Sequence, residues 1–396
     1  MASDAGSLAR TPGAAPRTQW WGLGIAALAA HGLFAQAISG GGRLALLLTI
    51  GLLLGFTLYH AAFGFTGAYH RLFTQRDTRG VEAQLVMVAA ASLLFAPLLA
   101  QGELFGQALG GAVAPVGWQV AVGALLFGVG MQLGGGCGSG TLFAVGGGGA
   151  RQIVTLAAFI AGSFWASLHM GWWQQLPGWG VIALGQAWGW PRAVAFQLSV
   201  LGVCWWLLRR WRRVPPGADA PPSSRHRWLR GPWPLLAGAL VLAALNAVTL
   251  VVAGHPWTIT WAFSLWGAKL AALAGWDPSA SVFWSGGFPA YALGRGVLED
   301  VTSVMDLGIM VGALAAAALA GRFARGQTVT PARVWAAALL GGLLMGYGAR
   351  IAFGCNIGAF FSGVASTSLH GWLWIAAALV GNWLGVRLRP GFGLGR

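Results

Sequence analysis

Two of the three cysteines in this chain stand in stretches that copy one another. Cys137 lies in GVGMQLGGGCGSG, residues 128–140, and Cys355 in GYGARIAFGCNIG, residues 346–358. The stretches align without gaps at an offset of 218, with five of thirteen positions identical: Gly128 and Gly346, Gly130 and Gly348, Gly136 and Gly354, Cys137 and Cys355, Gly140 and Gly358. A thiol at the tip of a glycine-rich turn can donate a weak S–H hydrogen bond or accept contact from a soft, polarisable atom. A sulphur-containing anion would use both properties. A single buried cysteine is ordinarily a small hydrophobe, and it is the paired placement that points to chemistry. Cys204, flanked by Trp205 and Trp206 in a smooth apolar run, reads as packing.

Other residues gather around these turns. Arg350 precedes Cys355 by five residues and Asn356 follows it, while Gly136, Gly138 and Gly354 flank the thiols. Ionisable residues inside membrane segments default to function, but Arg350 suits two roles, drawing in a dianion or snorkelling to the interface. A weaker match, at an offset of 198, pairs Phe65-Thr66 with Phe263-Ser264 and Arg71-Leu72 with Lys269-Leu270. It predicts an aromatic/hydroxyl loop early in each half. His169, His255 and His370 are scattered without ligand spacing, so no metal is assigned. No catalytic residue, cofactor or nucleotide-binding P-loop is expected: no Gly-x4-Gly-Lys-Ser/Thr occurs, and Lys269 is the sole lysine.

The elements that position these residues must lie in a bilayer. Of 396 residues only 8% are charged and 57% are apolar, with 64 glycines and 23 tryptophans. This excludes an ordinary soluble enzyme, whose charged share is roughly a quarter. The formal charge of +15 would suit nucleic acid, but the cations sit in short clusters between apolar runs and read as topology markers. Runs of spanning length appear at 20–38, 44–63, 83–100, 118–133, 153–173, 193–208, 234–253, 305–320, 334–347 and 372–386, giving nine or ten helices. The first, with His31 and Gln36, also suits a helix lying on the membrane.

Four segments follow: a disordered tail (1–19), a first transmembrane half (20–208), a basic cytoplasmic linker (209–232) rich in arginine and proline, and a second half (233–396). Walking outward from the linker puts Arg71, Arg76, Arg79, Arg151, Arg322, Arg325, Arg333, Arg387, Arg389 and Arg396 inside, and Glu299 and Asp300 outside; Arg43, Lys269 and Arg295 dissent. The span before Cys137 then runs inward and the span before Cys355 outward. The expected fold is an all-α polytopic membrane protein of two inverted pseudo-symmetric repeats, the plan of many secondary transporters. Runs such as Gly134–Gly136 and Gly146–Gly149 predict re-entrant Gly-Cys loops, with helices restarting near Thr141 and Ile357 to offer N–H groups to an anion.

The motifs GVGMQLGGGCGSGT (128–141) and GYGARIAFGCNIGAFFSG (346–363), followed by SLHGW (368–372), resemble the YeeE/YedE sulphur-transport family over nearly the whole chain. The resemblance implies a bacterial inner-membrane protein that takes up thiosulfate through a pseudo-symmetric helical bundle, by hydrogen bonds from thiols assigned here to Cys137 and Cys355. Some members are described with a third important cysteine in the early loop of one half, which this chain lacks. A two-thiol relay follows, with Thr66 or Ser264 as the substitute hydrogen-bonding group. The resemblance also implies the bilayer and a small cytosolic sulphur-carrier protein as partners. Rival readings are uptake of another sulphur or selenium compound, a membrane sulphurtransferase using the same cysteines covalently, and an anchor subunit without transport of its own.

Overall fold

The computed structural model describes residues 17–214, 227–324 and 331–395. Residues 1–16 of the expected tail, 215–226 of the expected linker, Arg325 and Arg396 lie outside the described residues. The first seven helices are α1 (Trp20–Ser39), α2 (Gly42–His60), α3 (Phe65–Gln75), α4 (Arg79–Gln101), α5 (Trp118–Gly134), α6 (Gly138–Gly146) and α7 (Ala150–Leu168). The rest of the bundle comprises α8 (Trp190–Trp211), α9 (Leu235–Ala253), α10 (Thr260–Leu273), α11 (Val301–Leu319), α12 (Ala332–Ile351), a π-helical turn (Asn356–Ser362) and α13 (Leu369–Leu388). Among the described residues, strands are confined to two short antiparallel pairings in the connections. Ten of the helices are long and apolar enough to cross a bilayer, which makes the chain an all-α polytopic membrane protein.

The packing is carried by close backbone approach, as expected where lipid removes any hydrophobic drive between helices. A side-chain carbon on Gly128 of α5 would lie 2.2 Å from the Ala378 carbonyl oxygen of α13, and one on Gly346 of α12 would lie 2.2 Å from that of Phe159 on α7. Gly130 and Gly348 are closed in the same way by Gly341 and Gly123. These four motif glycines therefore lock helix crossings, while Gly136, Gly138 and Gly354 stand at the breaks beside the cysteines.

The strongest helix pairings are α7 with α12, α5 with α13, α5 with α12, α2 with α11 and α4 with α9; α1 also packs on α11, and α8 on α4. Exchanging α1 with α8, α2 with α9, α4 with α11, α5 with α12 and α7 with α13 maps this set onto itself.

Three sequence expectations need correction. The aromatic/hydroxyl segments are helices, since Thr66 lies in α3 and Ser264 in α10. Both segments are rich in helix-compatible residues, so the hydroxyl marks a position on a helix. The run 153–173 is broken: α7 stops at Leu168, and a separate turn, Met170–Trp173, follows. The dissenting cations have local partners. Arg43 donates to the last carbonyls of α9, Val252 at 2.8 Å and Ala253 at 2.6 Å, neutralising the negative helix end. Lys269 donates to the carbonyls of Leu293 (2.8 Å) and Arg295, and Arg295 pairs with Glu299. Cations spent on such contacts do not mark a side of the membrane.

Candidate functional site

Both cysteines sit where a helix stops and another begins. α5 ends in Gly135, whose φ of +81° reverses the chain, and Cys137 then caps α6 with φ −95° and ψ −166°. In the second copy Phe353 (φ +58°) and Gly354 (φ +149°) make the reversal, and Cys355 caps the π-helical turn with φ −112° and ψ −164°. The two thiols thus share one extended capping conformation. The Cys137 sulphur accepts the Gly140 N–H at 3.4 Å, and the Cys355 sulphur accepts the Ile357 N–H at 3.5 Å. Each sulphur faces the N-terminal, positive end of the short helix it caps.

The two breaks meet in the protein interior. Cys137 and Cys355 are both buried, and a side-chain carbon on Gly138 would lie 3.1 Å from the Cys355 sulphur. Ser139 Oγ lies 3.4 Å from the Cys137 sulphur. Asn356 is fully buried; its Nδ2 lies 3.4 Å from the Tyr69 hydroxyl of α3, and its Oδ1 has no partner among the described residues. The hydroxyls of Thr66 and Thr141 are likewise buried without a partner, and a carbon on Gly136 would lie 2.9 Å from Thr141 Oγ1. Several polar atoms are thus buried around the thiols with unused hydrogen-bonding capacity, the arrangement a polar passenger would complete.

Arg350, in the last turn of α12, lines a cavity of about 300 Å3 together with His255, Thr258, Thr302, Phe353 and Gly354. Its guanidinium lies 5.1 Å from the Phe283 ring centroid, and its Nε has no hydrogen-bond partner among the described residues. Gly354, which directly precedes Cys355, is part of the same lining. At the matched position of the first copy stands Gln132. It donates to the Thr66 carbonyl at 3.2 Å and to Asn382 Oδ1 at 2.8 Å, and its own carbonyl accepts from Arg389 at 3.1 Å.

Cys137, Cys355, Gly136, Gly138, Gly354 and Asn356 therefore belong to one cluster, with Arg350 at its cavity. Ser264 lies apart from them in hydrogen bonding: its hydroxyl is 2.6 Å from that of Ser163 on α7, and it joins α7 to α10. Cys204 is half-buried on α8, away from both turns. Sequence reasoning missed Tyr69, Ser139 and Gln132, named Thr141 only as a helix start, and passed over Asp306 in the apolar run 305–320, where a lone acid was itself the signal.

A family model described as "Sulphur transport" matches residues 60–384, a stretch that includes both cysteine turns, α3 and Arg350. The chain belongs to the sulphur transport family. The resemblance read from the two motifs is thereby confirmed. Thiosulfate transporter TsuA of Spirochaeta thermophila is 28% identical over 360 residues, covering 85% of this chain and 96% of that protein. TsuA of Escherichia coli is 26% identical over 369 residues, 89% and 94% of the two chains. Probable transporter YedE of Escherichia coli is 32% identical over 163 residues, 41% of this chain; the match spans 39% of that protein's length. Two of these relatives are named as thiosulfate transporters and the third as a probable transporter.

Proposed function

We propose that this protein imports thiosulfate across a bacterial inner membrane, passing the anion from Cys355 to Cys137 without changing it covalently. The observation that carries this reading is the pair of buried thiols in matching capping conformations, with the Gly138 turn closed against the Cys355 sulphur. Thiosulfate is a dianion with oxygen and terminal sulphur acceptors. Each thiol, its sulphur engaged by a backbone N–H, presents S–H as a neutral donor, and such contacts are weak enough for the ion to leave again. Arg350 attracts the ion into the cavity, and the unpartnered Thr66, Thr141 and Asn356 groups supply hydrogen bonds along the way. Ser264 holds α10 in register through Ser163.

The geometry also supports two inverted repeats with re-entrant cysteine turns. The symmetric packing pairs α1 with α8, so the repeat boundary falls before α8, earlier than the polar linker that divides the chain into halves 20–208 and 233–396. Each repeat then holds an odd number of spanning helices: α1, α2, α4, α5 and α7 in one, and α8, α9, α11, α12 and α13 in the other. A second repeat that follows an odd number of crossings starts on the opposite side. With the linker and C-terminus cytoplasmic, Cys355 faces outward and Cys137 inward. A small sulphur-carrier protein at the cytoplasmic mouth would receive the unchanged anion.

Growth of a thiosulfate-requiring strain tests the reading. Cells expressing Cys137→Ala or Cys355→Ala fail at low thiosulfate, and Cys204→Ala grows as wild type. Full growth of both loop variants refutes it. A stable persulfide on either cysteine after incubation with thiosulfate would instead favour a sulphurtransferase.

A further inference from the structure

Asp306 is a buried acid in a membrane-spanning helix that the thiosulfate path does not use. It lies in α11 and is fully buried, and neither carboxylate oxygen has a hydrogen-bond partner among the described residues. One helical turn before it, Thr302 lines the cavity that holds Arg350 and Gly354. The neighbouring backbone is rigid: carbons placed on Gly51 and Gly55 of α2 would strike the carbonyls of Met305 and Ile309. The carboxyl is therefore held beside the path rather than swinging freely.

Several charged or titratable residues stand on the elements packed against α11. They are His31 on α1; Arg43, Tyr59 and His60 on α2; Lys269 on α10; Glu299 in the turn before α11; and Arg227 and Arg230 on the short helix between α8 and α9, while α6 carries none. Arg43 bonds to the carbonyls ending α9, Lys269 to Leu293 and Arg295, and Glu299 to Arg295. On its own helix cap, Asp300 accepts from Ser303 and Trp261.

An ionised carboxylate without partners is costly in such a place, and a dianion arriving beside it makes it costlier. A proton on Asp306 removes both penalties. By linkage, the anion then raises proton occupancy as much as the proton raises anion affinity. We propose that Asp306 is a proton site coupled to the anion path: the carboxylate takes up one proton as thiosulfate enters, becomes a neutral carboxylic acid, and releases that proton on the side where the anion leaves. This inference rests on the thiosulfate reading above. The coupling would let a proton gradient drive accumulation.

The test uses the full chain in proteoliposomes, with the membrane potential clamped. Exchange of labelled for unlabelled thiosulfate, without any gradient, first establishes transport; its absence in wild type overturns the thiosulfate reading and this inference with it. Given exchange, a pH gradient of one unit should drive roughly tenfold accumulation for one proton per anion, and a trapped pH dye should report luminal acidification. Asp306→Asn should keep exchange and lose both accumulation and acidification, whereas Asp306→Glu should retain them. Exchange without a response to the pH gradient, accumulation driven by a sodium gradient instead, or unaltered accumulation in Asp306→Asn overturns the proposal. Should Asp306→Asn fail to fold, wild-type acidification and the shifted pH profile of Asp306→Glu decide.

Discussion

A side-chain carbon on Gly138 would sit 3.1 Å from the sulphur of Cys355, although the two residues are far apart in sequence. Gly138 directly follows Cys137, so the contact joins the two thiol turns. An alanine here requires the Cys355 sulphur to give by a few tenths of an ångström, while Ile259, 3.5 Å away, is at ordinary contact distance.

Gly138→Ala should therefore impair transport without unfolding the protein. Overpacking costs about 1–3 kcal/mol, and if it falls on the permeation step it slows uptake by roughly five- to 150-fold. Gly202→Ala, with open space around it, is the control and should transport normally. Initial uptake rates normalised to the amount of protein in the membrane check this; equal rates for both variants would place the contact off the path.

Gly346→Ala should behave differently. Its new methyl meets the Phe159 carbonyl at 2.2 Å in the α7–α12 crossing, so the damage is to assembly. The expected outcome is a lower thermal unfolding temperature in detergent and lower yield, with KM for thiosulfate unchanged in the protein that remains folded. A changed KM at normal stability would assign this glycine a role at the site.

Loss of the Arg350 cation should weaken capture of the anion. Hydrogen bonds to charged groups are worth about 1.5–3 kcal/mol, so Arg350→Gln should raise KM roughly ten- to 100-fold with little change in maximal rate. Arg350→Lys should recover part of the affinity, because the charge remains although the planar fork is lost. Steady-state uptake over a range of thiosulfate concentrations reads both parameters. A fall in maximal rate at constant KM would contradict a role in capture.

Tyr69→Phe removes the hydroxyl 3.4 Å from Asn356 Nδ2 and leaves the ring in place. A neutral hydrogen bond contributes about 0.5–1.5 kcal/mol, so uptake should drop only about two- to tenfold, and Asn356→Ala should fall further because it also removes the unpartnered Oδ1. The double variant should be no worse than Asn356→Ala alone if both act through one contact. Additive losses would separate them.

Much of this was legible in the residues because lipid imposes simple rules. Apolar runs of spanning length became helices, and the gapless match at Cys137 and Cys355 located the two breaks. The matched glycines carried two messages in one pattern: Gly128 and Gly346 lock helix crossings, while Gly136 and Gly354 flank the thiols, and spacing alone does not separate the two uses. Thr66 and Ser264 looked equivalent, yet Ser163 across the α7–α10 contact takes up one hydroxyl and leaves the other without a partner. Such differences depend on which helix lies opposite, which no local pattern records. Tyr69 was hidden for the same reason, being brought to Asn356 by α3 from the other end of the chain.

The most direct test of the central claim, that one anion meets both thiols, is protection of Cys137 and Cys355 from maleimide in native membranes, read by mass spectrometry at each cysteine. Thiosulfate should slow labelling of both over the same concentration range, sulfate should protect far less, and Cys204 should react at one rate throughout. Labelling of either turn cysteine that is indifferent to thiosulfate would contradict the claim.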